Sequence, residues 1–294
     1  MRDEATSPIL ASMAIGLPFV PKEPETAYLW HFIRMSQLLK LETFVHHGIW
    51  LGRLDTFKDV LEGTLPQANL GLLQMMMPPD MADDTARLYE KAALRGYASC
   101  WHASDSDPSE EMWATKFGNK GKAIALRTSP DLFRAATERF LGANGPCYIG
   151  RIRYIDHAVD SVPEANTNEV AFVVQKQFEF QNEVRLYLHI LSPEAYPVLT
   201  NAYLGQELPV ARRAQPHEVL QYSNELVGNI PTELGNKLPE PCEGKVVILP
   251  ISVRDYIEEV LVGPKVKDEQ MKELMDLLEP AGLGNRVRRL QAKA

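Results

Sequence analysis

The stretch KQFEFQNEVRLYLHI (176–190) decides how the rest of this sequence is read. Successive side chains of a strand alternate between its two faces. On that period Phe178, Phe180, Asn182, Val184, Leu186, Leu188 and Ile190 share one side, which is apolar at every position but one. Gln177, Glu179, Gln181, Glu183, Arg185, Tyr187 and His189 share the other. The alternation predicts a strand with one face on a core. Its polar face is open to two readings. One is a face turned to water, as antiparallel sheets commonly have; the other is the wall of a cleft, with a carboxylate two residues from an arginine.

Outward from this strand, the chain alternates short strand-like and helical patterns. AYLWHF (27–32) opens the folded part. Met35, Leu38, Leu39, Phe44 and Val45 then follow helical spacing, with Gly48 set to stop the helix, and IWLGRL (49–54) reads as the next strand. Residues 83–94 read as a helix capped by Asp83 or Asp84 and ended by Gly96. YASCWHA (97–103), KAIALRT (122–128), CYIGRIRYI (147–155), KVVILPI (245–251) and IEEVLVG (257–263) read as strands. DLFRAATERFL (131–141) and KDEQMKELMDLLEP (267–280) read as helices, and NRVRRLQ (285–291) as a closing strand. Ser109 is set to cap a helix whose first turn carries Glu110 and Glu111, and whose apolar side is Met112, Trp113 and Phe117. The proline-dotted stretch PFVPKEPETA (18–27) cannot form regular ladders, so residues 1–27 are taken as an N-terminal arm. Residues 28–294 are taken as a single α+β domain, with the polar region at about 191–243 read as an insertion.

Composition narrows the function classes. With a net charge of −8 the chain lacks the basic surface that nonspecific nucleic-acid binding requires; RVRRLQAKA (286–294) is the one short basic run. Its three cysteines, Cys100, Cys147 and Cys242, have no spacing of a zinc knuckle or disulfide framework. The apolar stretch ILASMAIGLPFV (9–20) is too short to span a bilayer and has Asp3 and Glu4 where a secretory signal carries basic residues. These features predict a cytoplasmic protein without a membrane partner.

Common catalytic signatures are missing. No G-x-G-x-x-G follows a strand, FGNKGK (117–122) lacks the phosphate-loop spacing, and neither G-x-S-x-G nor H-E-x-x-H occurs. His46 and His47 are adjacent, so on a helix they project about 100° apart and cannot readily share one ion. SDSDPSEE (104–111) has four acids but not the glycine or spacing of a calcium loop, which leaves capping as its role. No metal site is expected.

Several short blocks in order carry a resemblance. LWHF (29–32), WLGRLDTFKDVLEG (50–63), SCWHASDSDPSEEMWATKF (99–117), KQFEFQNEVRL (176–186) and IEEVLVGP (257–264) resemble an uncharacterised bacterial domain family. That family shows tyrosine-histidine-tyrosine, asparagine-aspartate-proline-phenylalanine-glutamate, methionine-tryptophan and glutamate-x-glutamate-tyrosine-arginine blocks. The chain departs from it at Lys58, Val60, Gln181 and Val184, and keeps Glu62, Glu183 and Arg185.

The order of strand with Trp30 and His31, helix, glycine, strand, and a distant strand bearing Glu183 is also similar to the ADP-ribosyltransferase-like superfamily. That similarity implies small antiparallel sheets forming a cleft, flanked by helices, and NAD as a substrate to be split. It implies that His31 holds a ribose hydroxyl, that Glu183 stabilises an oxocarbenium-like transition state, and that an aromatic packs on nicotinamide, with Trp113 the nearest candidate. Arg185 would bind a pyrophosphate oxygen or orient Glu183, and Arg53 is a second candidate phosphate ligand. The implied activity is ADP-ribosyl transfer to an unknown macromolecular acceptor or NAD hydrolysis, in a defence or toxin-like role. The altered KDVLEG block and Gln181 suggest the alternative, a noncatalytic protein-binding module that keeps the fold.

Overall fold

The computed structural model describes residues 21–114, 119–138, 147–162, 168–189 and 246–290. The apolar stretch at 9–20, Phe117, Cys242, the region at 191–243 and the end of the basic run lie outside them.

In chain order the elements are β1 (Tyr28–Arg34), α1 (Leu38–His46), β2 (Ile49–Arg53), α2 (Gln67–Met76), α3 (Pro79–Ala93), β3 (Gly96–Ser104), α4 (Glu110–Ala114), β4 (Ala123–Thr128) and α5 (Pro130–Thr137). There follow β5 (Cys147–Arg151), β6 (Arg153–Ile155), β7 (Val173–Gln175), β8 (Glu183–His189), β9 (Val246–Leu249), β10 (Glu259–Val262), α6 (Asp268–Leu278) and β11 (Val287–Arg289). The protein is a mixed α+β chain. Instead of the small sheets expected, the described residues form one nine-stranded, mostly antiparallel sheet and a parallel pair, β6 with β7.

Local chemistry explains most boundaries. Gly48 has φ of +125°, and a Cβ there would fall 1.9 Å from the Leu249 carbonyl oxygen, so only glycine makes this turn beside β9. Ser109 and Ser129 cap α4 and α5, their hydroxyls accepting from the backbone N–H of Met112 and Leu132. The helix expected from residue 83 begins earlier, at Pro79, so Asp83 and Asp84 lie within it and cap nothing. Gly96 opens β3, three residues after α3 ends at Ala93, and α2 has no counterpart among the expected helices.

The deciding stretch is only half strand. Lys176–Gln181 forms a 3-10 helix, and Asn182 turns left-handed at φ 41° before β8 begins at Glu183. Asn182 is the one polar residue on the apolar side of the alternation. Its carbonyl accepts from the Ala103 N–H at 2.8 Å, and its side-chain amide donates to the Ala103 carbonyl at 2.6 Å. These bonds fix the end of β8 against β3, and the preceding residues coil away over the sheet.

Gln177 and Glu179 are exposed, but within β8 the polar face is not solvated. Val184, Leu186 and Leu188 join the main core with α1, α5 and α6. On the opposite side, Glu183, Arg185 and Tyr187 are also buried, under the chain at 57–62 and 170–178.

One feature of the sheet organises the rest. Along one edge of β3, strand β8 pairs continuously from Gly96↔His189 to His102↔Glu183. The other edge is shared. Strand β2 takes Tyr97 and Ala98, whereas β1 takes His102, Ala103 and Ser104. Beside residues 99–101 the two strands part, β1 leading on to β4, β10 and β11, and β2 to β9.

Candidate functional site

The parting of β1 from β2 opens a cavity of about 940 Å³. Ser99, Cys100 and Trp101 form its floor, with Trp30, His31 and Phe32 on one wall and Trp50 and Gly52 on the other. Phe57, Phe178 and Phe180 add aromatic surface, and Glu62, His102 and Glu183 add polar groups. A volume of this size falls in the range of roughly 300–1,000 Å³ that encloses cofactor-sized ligands.

His31 and Glu183 both line this cavity, although the sheet register assigns them to opposite faces. Trp30, His102 and Glu183 are successive cross-strand partners and share a face; His31, one residue on, points to the other. The gap in the sheet lets both reach the same space. Two strand spacings separate β1 from β8, so the two backbones are roughly 10 Å apart.

His31 takes the place of a missing strand neighbour. Its Nδ1 lies 2.8 Å from the Cys100 carbonyl oxygen, which can only accept, so Nδ1 carries the proton. The ring packs on Phe44 and Trp101, with centroids 5.0 and 5.1 Å away. Burial first, and then the charge of Lys40, hold its pKa well below the ordinary value, so the ring is neutral. Its Nε2 is consequently a buried acceptor, and no donor among the described residues meets it. His102 has the same tautomer: its Nδ1 donates to the Gln181 carbonyl at 2.7 Å, and burial lowers its pKa.

Glu183 is anchored from behind. Arg185 Nε and Nη2 both donate to Glu183 Oε1, at 2.9 and 2.8 Å, so the second carboxylate oxygen takes no bond from the guanidinium. Arg185 also donates to the Ala171 carbonyl and pairs with Glu62. The Glu183 N–H donates to the Tyr154 hydroxyl at 2.8 Å, which holds the start of the strand in register. Burial first, and then the nearby Glu183 carboxylate, raise the pKa of the Cys100 thiol well above its ordinary value, so it remains a thiol.

One guanidinium thus serves two buried carboxylates. Burial pushes Glu62 from 4.5 up to about 8, Arg185 opposing the rise and Glu183 adding to it. Glu62 therefore keeps a proton at neutral pH. A carboxyl group whose folded pKa is raised stabilises the fold below its unfolded pKa, and this contribution fades as pH rises through the folded value. The Glu62 contribution to stability should therefore decline between pH 4.5 and about 8. Glu62→Gln, which is neutral throughout, should remove that component, worth up to about 5 kcal/mol across the window. Urea midpoints of both proteins across that range measure it.

The other candidates from the sequence lie elsewhere. Arg185 is 1% exposed and does not line the cavity, so it orients Glu183 rather than meeting a ligand. Arg53 is also outside the lining and pairs with Asp55 at 2.7 Å. Trp113 packs into a cluster with Trp30, Ala123, Ala125 and Leu261, and only its neighbour Met112 reaches the cavity. In the KDVLEG block Asp59 holds the turn, accepting from the N–H groups of Leu61 and Gln175, while Val60 is 84% exposed. A proline at position 60 would have no contact to make there.

Sequence reasoning passed over His102 and Lys40. The WH pair at 101–102 could have drawn attention, since it repeats the WH pair at 30–31 on the neighbouring strand. Lys40 gave no signal, because a lysine on an amphipathic helix ordinarily marks the wet side. Among the described residues no His, Cys, Asp or Glu cluster could hold a metal ion, and no helix is long and apolar enough to cross a membrane.

Compared with family models, curated proteins and solved structures, the chain finds no match. The site's chemistry therefore rests on its own geometry.

Proposed function

We propose that the protein cleaves NAD at the bond between nicotinamide and ribose, as an ADP-ribosyltransferase or NAD glycohydrolase. One observation carries the reading: a braced carboxylate and a neutral imidazole with a bare Nε2 line one cofactor-sized cavity at a break in the sheet. The similarity of the strand order to the ADP-ribosyltransferase-like superfamily supports it as well, and fold analogy alone would not suffice.

The reaction asks little of the protein. As the C–N bond breaks, its electron pair passes to the cationic ring nitrogen, and nicotinamide leaves neutral without a general acid. This differs from an ordinary glycoside, whose leaving oxygen must be protonated. Positive charge grows on the ribose, and Glu183 supplies a fixed anion beside it. Water or an acceptor hydroxyl then bonds to the anomeric carbon and loses its proton. The bare Nε2 of His31 accepts an O–H from the substrate sugar, and the aromatic surface of Phe57, Phe178 and Phe180 suits the nicotinamide ring better than the core-packed Trp113.

Purified protein incubated with NAD should release free nicotinamide. The reading is overturned if folded protein releases none and gains no thermal stability from NAD, since a ligand that binds the native state must raise its melting temperature.

A further inference from the structure

Among the groups lining the cavity are the carboxylates Glu183, Glu62 and Asp59 and the cations Arg34, Lys40 and Lys58. Arg185, behind two of these acids, is already taken by both. Lys40 is on α1. Its ammonium lies 5.9 Å from the centroid of the Phe44 ring, the ring whose centroid is also 5.0 Å from that of His31. Lysine and imidazole therefore adjoin one aromatic side chain, and both line the cavity.

Each is a half-made interaction. Among the described residues no carboxylate comes within ion-pair distance of Lys40, whereas the buried Arg185 and half-buried Arg127 both have acidic partners. Such a cation is expensive to keep: burial is the cause that pulls Lys40 down to about 8. His31 Nε2 lacks a donor. A ligand completing both must offer an anionic oxygen to the ammonium and, a few ångströms away, an O–H to the imidazole.

We propose that Lys40 is the phosphate-binding residue of this cavity and that, with His31, it recognises a phosphorylated sugar through one phosphate oxygen and one hydroxyl. A hydroxy-carboxylate has the same two groups. Phosphate is favoured because the remaining cavity, with its aromatic walls and distant carboxylate, has room for the rest of a nucleotide. This rests on the NAD reading in that both assign the same cavity, and it names Lys40 where the resemblance suggested Arg185 or Arg53.

The test is calorimetric titration of the full chain with ribose 5-phosphate, ADP-ribose, ribose and malate, in wild type, Lys40→Met and Lys40→Arg. Lys40→Met keeps the apolar stem and removes the charge, and melting curves confirm folding. Ribose 5-phosphate and ADP-ribose should bind wild type, weaken at least about tenfold in Lys40→Met, and recover most of that loss in Lys40→Arg. Ribose should bind weakly and equally to all three.

Equal affinity in wild type and Lys40→Met, or no binding of either phosphate ligand to folded wild type, overturns the subsite. Malate binding more tightly than ribose 5-phosphate overturns its assignment to phosphate. Lys40-dependent phosphate binding without nicotinamide release would retire the enzyme and keep the subsite. Nicotinamide release with an unchanged KM for NAD in Lys40→Met would do the reverse.

Discussion

Glu183→Gln should lower the rate of nicotinamide release by about 100-fold to 1000-fold while leaving the protein folded. The substitution keeps the shape of the side chain and an oxygen for Arg185, so positioning survives and only the charge is lost. Substrate binding precedes any charge on the ribose, so KM should move little and kcat should carry the loss. The size of the effect follows from the surroundings. Glu183 is 7% exposed and its orientation is set by Arg185 and the β8 register, so little reorganisation is needed as the transition state forms. The accepting atom is the oxygen that Arg185 does not engage. Single-turnover release of nicotinamide from wild type and variant measures the ratio, and a ratio below about tenfold would remove Glu183 from the chemistry.

Arg185→Met should destabilise the fold by about 3–5 kcal/mol, the usual cost of leaving a buried charge uncompensated. Arg185 is 1% exposed and lies between Glu183 and Glu62 on a face covered by the Ala171 segment. Without the guanidinium the Glu183 charge has no counter-ion, and the Ala171 carbonyl loses a donor. The damage should be relieved by the acids themselves. Arg185→Met combined with Glu62→Gln and Glu183→Gln should regain much of the lost stability, because the stranded charge is gone. Urea unfolding of the single and triple variants measures both. Should Arg185→Met lose less than about 1 kcal/mol, the trio would have to be hydrated rather than buried as a unit.

The departure at Lys58 and Val60 bears on whether this chain is a working enzyme or a binding module. Asp59 makes the turn's hydrogen bonds and Glu62 pairs with Arg185, so the block does its structural work with Lys58 and Val60 in place. Val60 is on an exposed surface, whereas Lys58 lines the cavity.

Local pattern gave much of this molecule. Alternating strands such as β3 and β4, the capped helix after Ser129 and the glycine turn at Gly48 follow from side-chain period, hydroxyl capping and a φ that only glycine adopts readily, and all are short-range effects. The α+β class followed from their succession. His31 and Glu183 were singled out through resemblance, and both line the cavity. The interval at 176–181 was misread for a physical reason: alternation reports which side chains can share a face, and Asn182 ended the strand by bonding to Ala103, 79 residues away.

The burial of the polar face, the two-acid, one-arginine trio and the cavity depend on long-range pairing. In the sequence Lys40 was one more charged residue on a helix, and Trp113 was an aromatic near the right motif. Only the assembled sheet decided that the first would face a cavity and the second a core, because β3 gives one edge to two different strands and the gap between them cannot be read from either strand alone.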